Sequence, residues 1–164
     1  TNAALGPVVG HDAIQRIDGL VKDAVAKGAR VIAGGRIDGR YMDATVIDDI
    51  TPSMRIYHEE CFGPVAAIIR VNGDEEAIRV ANDTEYGLAS AVFSRDLGRA
   101  LKVAQRVEAG ICHINGPTVQ DEPQMPFGGM KASGFGRFGG ERAIDEFTEL
   151  RWITYSTRPA EYPI

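Results

Sequence analysis

The chain has 164 residues, enough for one ordinary domain with its own core, and 44% apolar with 25% charged residues is the balance of a soluble globular protein. A net charge of -5 excludes the clustered basic surface that nucleic acids require. No apolar run approaches the ~20 residues that span a bilayer, and Thr1-Asn2-Ala3-Ala4-Leu5 has neither the basic nor the apolar region of a signal peptide. Cys61 and Cys112 make no disulfide framework and read as reduced thiols of a cytoplasmic protein.

Gly6-Pro7 opens a turn, and His11-Asp12 leads into a helical period. Ile14, Ile17, Leu20, Val21, Ala24 and Val25 fall on one face. Gly28 stands where a C-terminal cap is expected. Arg30 to Ala33 reads as a short strand, Arg36 to Asp43 as a polar turn, and Ala44 to Ile47 as the next strand. Thr51-Pro52-Ser53 breaks the chain before His58-Glu59-Glu60-Cys61-Phe62-Gly63-Pro64, a polar and aromatic cluster at the mouth of an apolar run. That run, Val65 to Val71, does not alternate, which predicts cover on both faces.

Asp74 is a good helix cap, followed by Glu75 and Glu76 in the first turn and by Ala77, Ile78 and Ala81 on the inner face. Ser90 to Phe93 predicts a strand. A helix capped by Ser94 then places Leu97, Leu101, Ala104 and Val107 inward, and Ile111 to Ile114 is another strand. Asn115 to Gln124 is a polar loop at a strand end, where open α/β sheets carry function. Six glycines between Gly128 and Gly140 imply close backbone approach rather than a phosphate cradle, since no Gly-x-Gly-x-x-Gly opens a helix there. Glu141 to Leu150 reads as a helix with Ile144 and Phe147 inward, and Arg151 to Tyr155 as a final strand. The alternation predicts an α/β fold: an open, largely parallel sheet with flanking helices over 1–150, then a strand and tail over 151–164.

Glu59-Glu60-Cys61-Phe62-Gly63-Pro64-Val65 resembles the Glu-Glu-x-Phe-Gly-Pro-Val signature of the NAD(P)-dependent aldehyde dehydrogenase superfamily. Ala81-Asn82-Asp83-Thr84-Glu85-Tyr86-Gly87-Leu88-Ala89, Gly110-Ile111-Cys112-His113-Ile114-Asn115 and Pro126-Phe127-Gly128-Gly129-Met130-Lys131-Ala132-Ser133-Gly134 agree in the same order, from Gly6 to about Thr154. The resemblance implies the C-terminal third of such an enzyme, with the dinucleotide-binding domain and the nucleophilic cysteine upstream. It also implies that the isolated chain is inactive. Carried over, Glu60 accepts hydrogen bonds from the nicotinamide-ribose hydroxyls of NAD or NADP, and Phe62 packs beside the nicotinamide. Phe127 lines the pocket of a small-molecule aldehyde substrate, and the strand 151–155 joins an intersubunit sheet in a homo-oligomer. Phe138 departs from relatives that carry Glu after the Gly-Arg pair, so no proton relay is carried over. Gly136 to Gly140 and Phe147 to Thr154 are similar to the aromatic-aldehyde branch, with succinate semialdehyde dehydrogenases as the competitor.

Cys61 occupies the variable position of its motif and is not expected to be a nucleophile. Cys112 reads as core. A metal site from His58, Cys61, Cys112 and His113 is not expected, because Cys112 and His113 point to opposite faces of a strand and no zinc spacing occurs. The other function classes are a non-enzymatic assembly module built on 151–155 and a thiol enzyme using Cys61.

Overall fold

A computed structural model describes residues 5–159 and 161. Helix α1 (His11–Ala26) forms where the apolar period predicts it, with Ile14, Ile17, Leu20 and Ala24 buried. Gly28, at φ 104, lets the chain turn out of the helix: its N–H bonds the Val25 carbonyl, and the Ala29 N–H bonds the Ala24 carbonyl. That pair of bonds is a Schellman cap, and the Ala24–Ala29 contact closes it against the core. Val25 lies off the buried face and is exposed.

The chain divides into two compact units, Thr1–Ala77 and Ile78–Ile164. In the first, strands β1 (Arg30–Ala33), β4 (Thr45–Asp48) and β5 (Val65–Ala67) form one sheet in the order β1-β4-β5. β1 runs antiparallel to β4, and β5 runs parallel to it with Thr45 opposite Val65. The segment expected to be a polar turn contains a hairpin of β2 (Ile37–Asp38) and β3 (Tyr41–Met42). Gly39, at φ 60, supplies the reversal, and Met42 buries against Ile14 and Ile17. Helix α2 (Arg55–His58) is a single turn, too short to leave a periodic signal; its Ile56 joins Leu20, Ala24, Ile47, Ile50 and Met54 in the core. Two-sided cover of the run after Pro64 is not observed, since Val65 and Ile69 pack against the core while Ala66, Ala67 and Ile68 are exposed.

Buried Asp48 ends β4. Its carboxylate accepts from Arg70, from Arg30 at 3.5 Å and from the Asp49 N–H at 2.8 Å. The Arg70 hydrogen bond is the main reason that the Asp48 carboxyl is held below its ordinary range.

The unit boundary falls within α3 (Gly73–Asn82), whose Ile78 is buried and Ala81 exposed. In the second unit β6 (Tyr86–Gly87) pairs antiparallel with β9 (Met130–Lys131). β7 (Ala89–Val92) pairs parallel with β8 (Ile111–Ile114). Helix α4 (Leu97–Ala104) is the crossover between β7 and β8. Its cap is Asp96 rather than Ser94: Asp96 Oδ1 accepts from the Arg99 N–H at 2.9 Å, and Ser94 Oγ supports the Asp96 N–H at 3.1 Å. The expected inner face is also corrected. Ala100 is buried, whereas Leu97 and Leu101 are 64% and 51% exposed. Helix α5 (Arg142–Phe147) buries none of its residues, so Ile144 and Phe147 face outward rather than inward.

The class is α/β, but the described strands divide among four small sheets rather than one open parallel sheet. Parallel pairing occurs twice, in β4–β5 and β7–β8, and each sheet stops after two or three strands. Residues 151–155 form no strand within the chain, and Trp152 and Tyr155 are both 90% exposed.

Candidate functional site

The Glu59 to Pro64 stretch is held from below and open above. The Glu59 carboxylate is taken by Arg55, with Nε to Oε1 at 2.7 Å and Nη2 to Oε2 at 2.9 Å. That hydrogen-bonded pair holds the Glu59 carboxyl below its usual range. Arg55 is itself anchored, its N–H donating to Asp23 Oδ2 at 2.8 Å. The neighbouring Glu60 carboxylate is exposed and has no partner among the described residues. Two adjacent acids thus differ completely: one is a structural brace, the other is presented to solvent.

Phe62 stands beside Glu60 with its ring 78% exposed and its backbone at φ 43, a left-handed conformation that bulky side chains rarely adopt. A Cβ at the following Gly63 would run into the Ile17 side chain, so any larger residue would have to displace Ile17 where the chain meets α1. The Pro64 carbonyl accepts from the Thr45 N–H at 2.8 Å and ties the stretch to β4. Arg16 of α1 donates to the carbonyls of Glu60 at 2.6 Å and Cys61 at 2.7 Å. Pro7, Val9, Ala13, Arg16, Phe62 and Pro64 line a groove beside the ring. Cys61 points the other way, half-buried against the core, and burial pushes its thiol pKa up. A raised pKa lowers the thiolate fraction, which is the opposite of what a nucleophile needs.

In the second unit Phe127 lines a groove of ≈ 400 Å³ between β8 and the loop that follows it, with Cys112, His113, Glu122, Met125 and Pro126. Cys112 therefore sits half-buried at a groove wall rather than in a closed core. His113 Nε2 is buried without a hydrogen-bond partner among the described residues. Phe127 is fixed by a two-way backbone bridge to Phe138, at 2.6 and 2.7 Å. Phe138, which breaks the expected pattern by its side chain, thus serves the groove through its main chain.

Two asparagines tie turns together. Asn115, at φ 57, accepts from the Ser94 N–H at 2.8 Å and donates to the Ser94 carbonyl at 2.9 Å, joining the ends of β7 and β8. Asn82 donates to the Arg106 carbonyl and accepts from the Glu108 N–H in the same manner. Lys131 Nζ caps the Asn82 and Thr84 carbonyls and pairs with Glu108 at 2.7 Å. Among the described residues no group of three or more His, Cys, Asp or Glu side chains could hold a metal ion, and no helix is long and apolar enough to cross a membrane.

Residues 1–153 match the profile of the aldehyde dehydrogenase family. The chain belongs to that family. Among known aldehyde dehydrogenases it is similar to the vanillin dehydrogenase of Pseudomonas sp. strain HR199, with 56% identity over 162 residues that cover 99% of this chain and 34% of that protein. A crystal structure of salicylaldehyde dehydrogenase from Pseudomonas putida G7, complexed with salicylaldehyde, superposes with a TM-score of 0.92 at 52% identity, covering 98% of this chain and 33% of that one. A Mycobacterium tuberculosis aldehyde dehydrogenase complexed with NAD+ gives a TM-score of 0.83 at 35% identity, covering 94% and 34%. The chain spans about a third of the length of these aldehyde dehydrogenases.

Of the residues expected from the aldehyde dehydrogenase motifs, Glu60 and Phe62 stand together in the first unit, and Phe127 lies in the second. Sequence reasoning missed Arg16, which lies 44 residues from its partner Glu60 and carries no local signal. It also missed the bracing by Asn82, Asn115 and Lys131. All three lie inside quoted motifs, and an asparagine at a strand end was the available hint.

Proposed function

We propose that this chain is the C-terminal part of the catalytic region of an NAD(P)-dependent aldehyde dehydrogenase that oxidises an aromatic aldehyde to its carboxylic acid. The observation that carries this reading is the presented Glu60 carboxylate beside the exposed Phe62 ring on a fixed backbone. These residues fit the nicotinamide-ribose end of a dinucleotide. A partner-free carboxylate can accept both hydroxyls of a ribose diol, and those bonds are charge-assisted. An exposed ring one residue beyond Cys61 offers a flat face for the nicotinamide. The bound cofactor would supply the hydride acceptor; Glu60 and Phe62 would orient its reactive end, on which transfer depends. Phe127 supplies an apolar wall for a planar substrate, and likeness to vanillin and salicylaldehyde dehydrogenases supports an aromatic one. The nucleophile is assigned to a cysteine upstream of this segment, since Cys61 is buried toward the core and its thiol is shifted the wrong way.

The 151–155 segment serves assembly, pairing with another subunit. Exposed Trp152, Ile153 and Tyr155 support that role, as an apolar extended edge is normally covered. The same exposure is what favours a second reading, a non-enzymatic assembly module. Activity separates the two. The full-length enzyme bearing this segment is expected to oxidise benzaldehyde or salicylaldehyde faster than succinate semialdehyde with NAD or NADP. Glu60→Gln is expected to weaken cofactor binding about tenfold, through loss of the charge-assisted acceptor. The isolated 164-residue chain is expected to give no turnover. Wild-type cofactor affinity and turnover in Glu60→Gln would remove Glu60 from the site, and failure of the full-length enzyme on every aldehyde would favour the assembly reading.

A further inference from the structure

We propose that Arg16 is a positioning residue, whose guanidinium fixes the backbone at Glu60 and Cys61 and thereby aims the Glu60 carboxylate and the Phe62 ring at the cofactor. The inference rests on the cofactor role assigned to Glu60. It adds a residue from a different element, distant in sequence, that acts through the main chain of Glu60 and Cys61.

The geometry is a fork. Arg16 Nη1 donates to the Glu60 carbonyl at 2.6 Å and Nη2 to the Cys61 carbonyl at 2.7 Å, so one planar group spans two successive peptide units. Both bonds are charge-assisted. The fork holds the two peptides immediately before Phe62, whose left-handed backbone at φ 43 is disfavoured for an aromatic residue and persists only where its surroundings enforce it. Ile17, adjacent to Arg16 on α1 and fully buried, provides the stop against Gly63 on the other side of Phe62. Consecutive residues of one anchored helix therefore bracket the strained position, one by hydrogen bonds and one by packing. The Glu60 and Phe62 side chains have no such support of their own: the carboxylate has no partner among the described residues, and the ring is exposed. Their direction is set by the main chain beneath them. Lysine keeps the charge but is a point donor, and cannot reproduce a rigid two-pronged contact.

A double-mutant cycle in the full-length enzyme tests this, using Arg16→Met, Glu60→Gln and the double variant. The readouts are cofactor affinity by quenching of protein fluorescence, kcat with benzaldehyde, and the isotope effect with benzaldehyde deuterated at the aldehyde carbon. Arg16→Met is expected to lower kcat about tenfold, because small misplacement of the nicotinamide slows hydride transfer. It should also raise the isotope effect, which mere loss of folded enzyme would not do. Adding Arg16→Met to Glu60→Gln should cost less than tenfold, because one of the two aimed groups is already gone. Arg16→Lys should retain the fold and recover only part of the loss. It serves as the decisive variant if Arg16→Met does not fold, since wild-type kinetics in Arg16→Lys would overturn the proposal. Strict additivity in the cycle, or a harmless Arg16→Met beside a damaging Glu60→Gln, would also overturn it while leaving the cofactor reading intact. If Glu60→Gln is itself harmless, the cofactor reading fails and Arg16 falls with it.

Discussion

The two units of this chain are built on different physics. Residues 1–77 enclose two apolar clusters, with Ile17, Leu20, Ala24 and Ile47 at zero exposure. In residues 78–161 the buried apolar side chains are Ile78 and Ala100 alone among those described. There the ties are polar: Asn82, Asn115, Lys131 and Arg137 each bond main-chain carbonyls. Many of its large apolar residues, Phe93, Leu97, Ile144, Phe147 and Trp152 among them, face outward. One unit is stabilised by what it hides and the other by how its turns are braced. A segment that orders its backbone while displaying its apolar surface is suited to burial against further protein.

The sharpest way to break this contrast is a cavity. Leu20→Ala removes a fully buried side chain and is expected to cost about 2–5 kcal/mol in the first unit, read by amide hydrogen exchange. The matching change Leu97→Ala in the second should stay within about 0.5 kcal/mol. Equal costs would show that the second unit has a core after all.

Those two leucines also mark where the sequence was legible. Both lie on an apolar helical face, and periodicity reports such a face without saying what covers it. For α1 the cover is supplied by β4 and α2 of the same chain, and the reading of Ile14, Ile17, Leu20 and Ala24 held. Helix α4 meets β7 and β8 through Ala100 rather than through its leucines, and α5 buries none of its residues, so Leu97, Leu101, Ile144 and Phe147 were placed inward wrongly. Strands β1 and β8 were legible because each is a short run holding two β-branched residues and ended by a turn residue. The hairpin over 37–42 was not, since two-residue strands leave no alternation to read. At the candidate site, Glu60 and Phe62 were visible as a local motif. Their fork partner Arg16 was not, because a contact across 44 residues has no local trace.

A smaller effect is expected from the polar braces. Asn115→Ala removes both bonds to Ser94 and forces alanine into a left-handed backbone, a cost of about 1–2 kcal/mol confined to the second unit. Asn115→Gly keeps the backbone freedom and loses only the bonds, so exchange protection intermediate between wild type and Asn115→Ala would apportion the two causes. An unchanged second unit in both variants would reduce the brace to decoration.

Acid should separate the units as well. Asp23, Asp48 and Glu59, all in the first unit, are carboxyls held low, chiefly by hydrogen bonds to Arg55, Arg70 and Arg55 respectively. A depressed folded pKa means that the unfolded chain binds protons first as pH falls. The stabilisation is fully present above the ordinary carboxyl values of about 4, and is lost as pH drops through the lowered ones. Amide exchange between pH 6 and pH 3 should therefore show the first unit loosening. Asp48→Asn should flatten part of that slope, and an unaltered slope would rule out the Asp48 network as a source.

The least change in stability is expected from Trp152→Asp with Ile153→Lys, within about 0.5 kcal/mol, because both side chains are exposed. Sedimentation should nevertheless show lost self-association. If wild type and variant both run as monomers over a wide concentration range, the 151–155 segment is not an assembly element.

The Asn115 brace has one further consequence, for how such a scaffold can vary. The loop over 116–126 leaves from a residue pinned to Ser94 and returns at Phe127, which is pinned to Phe138. One end is clamped by the Asn115 side chain and the other by main-chain bonds, and neither clamp uses a side chain of 116–126, so the loop's content is free to drift. Closure entropy grows only slowly with length, about 0.6 kcal/mol for each doubling. The loop is thus an interchangeable cassette in a fixed socket, and a lineage can trade its groove wall for another without relearning how to fold.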